Sequence, residues 1–211
     1  MRFYVCVLLI TVGNLAKSQE LIAYKSKKYG YELSYPSDWI PDYPEEWNEK
    51  LDTFVKVPND EVRIIHFIKK SKCAFEWDCK FNFSLNGGGS KKSYAAELEY
   101  LDRYQKHPEK TELHPQKVRL QQGVLKDQPY EIVLEANDLS QYKAFLYIYC
   151  KNIFYFAEFS TMKANVKDDN LLTDQSKSLS IETVYDSEKA SIIKSFTCPT
   201  PEFFKKKKVK K

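Results

Sequence analysis

The sequence predicts an α+β domain in which helices cover the apolar faces of a mainly antiparallel sheet. Three features carry this prediction. Strand-like alternation of apolar and polar residues begins soon after Gln19 and recurs through the second half of the chain. The stretch from Ser93 to His107 instead places Tyr94, Leu98 and Leu101 at helical spacing. Two aromatic runs, Tyr142 to Cys150 and Ile153 to Met162, are joined only by Lys151 and Asn152. Such a link closes a hairpin, since Asn tolerates the positive φ of a tight turn.

Taken in order, Leu21 to Lys25 and Tyr29 to Tyr35 form an opening hairpin around "SKKYG". In "KYGYELSYPSDWI", Tyr31, Leu33 and Tyr35 share one sheet face. Pro36 cannot donate to a ladder and ends the pairing. Ser37 and Asp38 supply turn chemistry, so that Trp39 folds back as a core plug. Strands follow at Thr53 to Val57 and Val62 to Lys69, the second with Val62, Ile64, His66 and Ile68 opposite Arg63, Ile65 and Phe67. Phe81, Phe83 and Leu85 alternate on the next. "NGGGS" breaks the chain, and Pro108 closes the helix that follows. Val118 to Leu125 and Tyr130 to Ala136 flank the turn-like "KDQP". Lys163 to Ser180 is polar and irregular. Thr183 to Phe196 reads as one terminal helix with Val184, Ala190, Ile192, Ile193 and Phe196 as its apolar residues.

The first residues, "MRFYVCVLLITVGNLAKSQE", have the make-up of a secretory signal peptide at 1–18. Arg2 precedes an apolar run from Phe3 to Val12, and Ala16 and Ser18 provide a small-residue site for cleavage after Ser18. That run is too short to span a bilayer, for which about 20 residues are needed. The expected location is secreted or periplasmic. A single globular domain at 19–199 then precedes a disordered lysine-rich tail at 200–211. The net charge of +4 is uneven: removing Arg2, Lys17 and the six lysines of "KKKKVKK" leaves 4 − 2 − 6 = −4 on the body. The basic balance therefore belongs to one end of the chain, where Lys205, Lys206, Lys207 and Lys208 are candidates for contact with an acidic surface. No specific nucleic-acid recognition is implied, and the expected state is a monomer.

Four cysteines remain beyond the leader: Cys73, Cys79, Cys150 and Cys198. An even number in an exported chain suits disulfide pairing, with buried free thiols as the alternative. Cys73 and Cys79 bracket the short "AFEWD", which makes them the first pair and leaves Cys150 with Cys198. Neither CxxC nor a zinc spacing occurs.

"YGYELSYPSDW" resembles the opening signature of PsbP-like and DcrB-like domains, in which a glycine–aromatic pair leads a strand into a Pro-x-x-Trp turn. "YIYCKNIFYFAEFS" is similar to their central hairpin and "SEKASIIKSF" to their closing helix. The resemblance implies an α/β/α sandwich around a central antiparallel sheet, with an N-terminal hairpin and a C-terminal helix. It also implies a non-enzymatic role, since the family includes extrinsic photosystem II proteins and a nuclear factor that binds the Ran GTPase. The insertion between Cys73 and Cys79 and the lysine tail depart from that pattern.

Catalytic chemistry finds little support in the residues themselves. His66 shares a strand face with Val62, Ile64 and Ile68 and reads as a packed histidine. His107 and His114, with Glu109 and Glu112 between them, form no recognised ligand spacing. No G-x-S-x-G elbow appears. "NGGGSKKS" lacks the spacing of a phosphate loop and reads as a connector with Ser90 or Ser93 as helix cap. No cofactor is expected. Trp47 and Trp77 lie in polar surroundings and are candidate partner contacts, while Asn82-Phe83-Ser84 forms an N-glycosylation sequon. The reading is a secreted, non-catalytic binding or accessory protein acting through a protein or envelope partner. The alternative is a hydrolase or metal-dependent enzyme with a site near His107 and His114.

Overall fold

The structure is a computed structural model that describes residues 20–48, 50–70, 79–87, 99, 117–138, 141–150, 155–161, 171 and 176–203. The expected signal peptide, the helix at 93–107 apart from Glu99, His107, His114, Cys73, Trp77 and Lys205–Lys208 lie outside the described residues. Among the described residues the chain runs through β1 (Leu21–Lys25), β2 (Glu32–Pro36), β3 (Trp39–Asp42), β4 (Glu46–Asn48), β5 (Thr53–Val55) and β6 (Ile64–Lys69). It continues through β7 (Lys80–Gly87), β8 (Lys117–Leu125), β9 (Gln128–Asp138), β10 (Gln141–Cys150) and β11 (Tyr155–Thr161), and then two helices, α1 (Ile181–Val184) and α2 (Ser187–Ser195). Seven strands form one antiparallel sheet in the order β3-β6-β7-β11-β10-β9-β8, while β1–β2 and β4–β5 are separate hairpins. The α+β class is as the element order predicts.

Period-two alternation decides which face of the sheet is packed. Ile65, Phe67, Phe81, Phe83, Leu85, Ala157, Phe159, Leu146 and Ile132 all point to one side and are fully buried. Against them lie the β1–β2 hairpin and the two helices. Tyr31 sits 4.8 Å, centroid to centroid, from Phe83, and Phe196 lies 5.7 Å from Phe83 and 5.8 Å from Phe159. Ser195 fastens α2 to β2, accepting from Ser34 N at 2.7 Å and donating to Ser34 O at 3.0 Å. Trp39 is buried as expected, and its indole Nε1 donates to Glu188 on α2.

Local turn chemistry explains the connections. Gly30 takes φ +77° at the end of the β1–β2 turn, a region L side chains rarely adopt, and donates to Ser26 O at 2.9 Å. The β8–β9 link is tighter than the four-residue "KDQP". Only Lys126 and Asp127 turn, with φ 48° and 64°, and Gln128 and Pro129 already belong to the ladder. Pro129 fits because β10 pairs with β9 only from Tyr130 onward, so no neighbour there needs its N–H. Gly123 is opposite Tyr130, whose ring lies where a Cβ would sit, 2.2 Å from the ring Cζ.

Two expectations are corrected. The β10–β11 hairpin forms, but Cys150 pairs with Tyr155 rather than Ile153. The two-residue shift leaves every side chain on its expected face, so alternation alone does not distinguish the registers. The terminal helix is two helices. Asp186 accepts from the backbone N–H of Glu188 and Lys189 at 3.1 and 2.9 Å, starting a new helix where one continuous helix was expected. Tyr185, between them, is buried.

Asp186 also makes stability depend on pH. Partial burial pushes its carboxyl up, but the Lys189 backbone N–H and ammonium outweigh this and hold it below the usual range. A folded value below the unfolded one means its contribution is complete above about pH 4. That contribution is lost as pH falls through the folded value. Denaturant titrations should show wild type and Asp186→Asn converging as pH drops below about 4, because Asn keeps the cap without the charge. A difference that stays constant with pH would contradict this.

Cys150 is bonded to Cys198 with Cα atoms 5.6 Å apart, tying the end of β10 to the segment after α2. Cys79 is also disulfide-bonded.

A candidate partner-docking surface

The other face of the sheet is divided. Toward β8–β10, Val133, Tyr149, Glu131 and Glu135 are buried; Tyr149 donates to Glu131 at 2.9 Å and Gln122 to the same carboxylate at 2.6 Å. Toward β3 and β6 the face opens, with Ile40 and Ile64 exposed. Here the placement of His66 is corrected. The fully buried residues of β6 are Ile65 and Phe67, so the face His66 shares with Ile64 and Ile68 is the half-open one. It is half-buried, with its Nδ1 2.8 Å from Asn82 Oδ1. Asn82, the sequon residue, therefore lies on a central strand between β6 and β11.

Between β3 and β6 the chain makes the β4–β5 hairpin, in which Trp47 is paired in register with Phe54. The connection at 49–52 includes Asp52 at φ 50°. Both ends of this excursion are fastened. Before it, Tyr43 packs on the core and stacks on Tyr24 at 6.2 Å. After it, Val57 packs on the core, Tyr24 Oη donates to Asn59 O at 2.7 Å, and Lys27 N to Asp60 O at 2.6 Å. Burial raises the Tyr43 phenol above its ordinary range, and likewise that of Tyr24, so both stay neutral.

The hairpin itself turns apolar residues outward. Leu51 is 63% and Phe54 61% exposed. Among the described residues the large exposed apolar ones are Leu21, Ile22, Ile40, Leu51, Phe54, Ile64 and Val124, and four of these seven fall within residues 40–64. A fastened base carrying outward apolar side chains offers area that can be covered without further ordering of the chain. Covering each such half-exposed side chain contributes about half of the roughly 1.5–3 kcal/mol of complete burial, and little chain entropy is lost because the base is already ordered.

Of the sequence-predicted contacts, Trp47 falls on this hairpin, whereas Trp77 and Lys205–Lys208 lie outside the described residues. Phe54, Leu51, Ile40 and Ile64 were not singled out by sequence. Their signal was present in part, because Thr53 to Val57 reads as a strand, but only its pairing with "EWN" brings Phe54 opposite Trp47. Among the described residues no three His, Cys, Asp or Glu side chains gather as a metal site. A cleft of about 180 Å³ beside the disulfide is lined by Leu125, Ile148, Phe196 and Pro199. Its one ammonium, on Lys126, is occupied by Ser195 O and Phe196 O, each at 3.0 Å.

No family model matches the chain, and no curated protein matches it in sequence. Similar solved structures include the cyanobacterial PsbP, CyanoP, of Synechocystis sp. PCC 6803, at 14% identity and TM-score 0.44, covering 90% of this chain and 98% of that one. Another is the Ran-binding protein Mog1p of Saccharomyces cerevisiae, at 12% identity and TM-score 0.45, covering 88% and 99%. A third comes from Bacteroides thetaiotaomicron VPI-5482, at 12% identity and TM-score 0.45, covering 85% of this chain and 49% of that one.

Proposed function

We propose that the chain is an exported, non-catalytic accessory protein that docks a protein partner through the β4–β5 hairpin and the adjoining outer face of β3 and β6. The observation that carries this is that Leu51 and Phe54 stand exposed on one fastened excursion of the chain, while Ile40 and Ile64 are exposed on the strands before and after it. Export is supported by the Cys150–Cys198 bond and the bonded Cys79, since such bonds persist in oxidising compartments. A protein partner suits the site because a short apolar hairpin covers area rather than enclosing a small molecule.

The test is site-specific photocrosslinking in the native host. A crosslinker at Phe54 is expected to yield a discrete protein adduct, and one at Val124, exposed at the far edge of the sheet, none. Adding Leu51→Asp should abolish the adduct while the melting temperature stays unchanged. Equal adducts from Phe54 and Val124, or an adduct indifferent to Leu51→Asp, would refute the assignment.

A further inference from the structure

The two edges of the β1–β2 hairpin differ. Ser26 N donates to Tyr31 O and Ser37 N to Glu20 O, both at 3.0 Å, at the two ends of the ladder. These bonds fix its parity: residues 20, 22, 24 and 26 turn their backbone groups toward β2, and Leu21, Ala23 and Lys25 turn theirs away. On β2 the outward groups are used. Glu32 exchanges two backbone bonds with Thr197, Ser34 is held by Ser195, and Pro36 has no N–H. The turn is fixed as well, since the Phe203 ring lies over Gly30, its atoms 2.6–2.9 Å from where a Cβ would be. On β1, among the described residues, the backbone N–H and C=O groups of Leu21, Ala23 and Lys25 meet no partner. Every β1 residue but Tyr24 is exposed, Leu21 at 51% and Ile22 at 40%. An ordered strand is thus left with an open edge.

We propose that this edge pairs with the same edge of a second copy of the chain, giving a two-fold dimer in place of the monomer expected from the sequence. The surface is separate from the β4–β5 hairpin, so the pair carries two docking hairpins. The outward groups at 21, 23 and 25 are symmetric about Ala23. Antiparallel pairing centred there sets Ala23 against its copy and Leu21 against Lys25, which satisfies every one of those N–H and C=O groups. A register one residue off sets them against groups already bonded to β2. The side chains agree with the centred register. Ala23, the smallest on β1, lies on the axis, and Ile22 comes opposite Tyr24 of the other copy. Lys25 faces no like charge, since Leu21 lies opposite and its ion pair with Glu32 stays within its own copy. Glu20 lies toward the Lys27–Lys28 turn of the other copy, whereas parallel pairing sets like charges together. This self-complementarity favours a second copy over a foreign strand. An interface of this size suits a weak dimer, half-formed at roughly 10–100 µM.

The experiment is sedimentation velocity on the protein purified from its native host, from about 2 to about 500 µM. The sedimentation coefficient is expected to rise from that of a monomer to that of a dimer, and Ala23→Pro should abolish the rise. Because the Ala23 N–H points away from β2, that variant should melt within about 3 °C of wild type. Ala23→Cys sets two thiols across the axis at a spacing a disulfide can bridge. Mild oxidation should then give a covalent dimer about tenfold faster than with Lys25→Cys, whose copies do not face each other. A chain that stays monomeric to about 500 µM, or a dimer indifferent to Ala23→Pro, would overturn the proposal. Equal crosslinking at positions 23 and 25, or a crosslinker at Ala23 that captures a different host protein and no second copy, would do the same.

Discussion

Cys198→Ser is expected to lower the unfolding free energy by about 4 kcal/mol, among the largest effects of any single change to this chain. The Cys150–Cys198 bond closes a loop with a sequence separation of 48, which contains β11 and both helices. In the chain-entropy account, opening a loop of that length frees the unfolded ensemble by about that amount. Few native contacts need change, because Thr197 still pairs with Glu32 and Lys126 still holds the α2 carbonyls. The loss should therefore appear as a lower denaturant midpoint with the native spectrum retained. Alkylation of the unreduced wild type should label neither Cys150 nor Cys198. A change below about 1 kcal/mol would mean that the unfolded chain is already confined without the bond.

Trp39→Ala should cost about 3–5 kcal/mol, the range for removing a buried aromatic residue. Trp39 is 2% exposed and meets Phe81 edge-on at 6.5 Å. Its indole Nε1 donates to Glu188 at 3.1 Å, and the same carboxylate takes Lys69 at 2.6 Å. One residue thus ties β3, β6 and α2 together, and its removal leaves both a cavity and a carboxylate that has lost a donor. A melting temperature lower by roughly 10 °C is expected, and Trp39→Phe should recover part of it. The neighbouring Ile40, 47% exposed, provides the contrast, since Ile40→Ala should change stability by no more than about 0.5 kcal/mol. Equal effects at the two positions would contradict the assignment of Trp39 to the core.

Most strands were legible because each carries period two over a half-buried face. Tyr31, Leu33 and Tyr35 on β2, and Phe81, Phe83 and Leu85 on β7, are all buried as their alternation requires. Where two readings agreed on alternation, the sequence could not choose. The register of β10 against β11 and the packed face of β6 both required the sheet to be assembled. On β6 both faces carry isoleucine, so hydrophobicity alone does not say which one is inside. The break at Asp186 was missed because the apolar residues of 183–196 suit one helix, while a capping side chain acts through local geometry.

The candidate docking site shows the same division. Trp47 stood out by its polar surroundings, yet Phe54 became notable only once β4 and β5 paired and the flanking Tyr43 and Val57 were fastened to the core.

By itself, the sequence determined the α+β class, the burial of the opening aromatics and of Trp39, and the candidate pairing of Cys150 with Cys198. These follow from local periodicity, turn chemistry and residue count. Only the tertiary structure decided which β6 face is buried, which apolar residues remain outside, and that Phe203 meets Gly30. Each of these depends on contacts between segments distant along the chain, which no local pattern encodes.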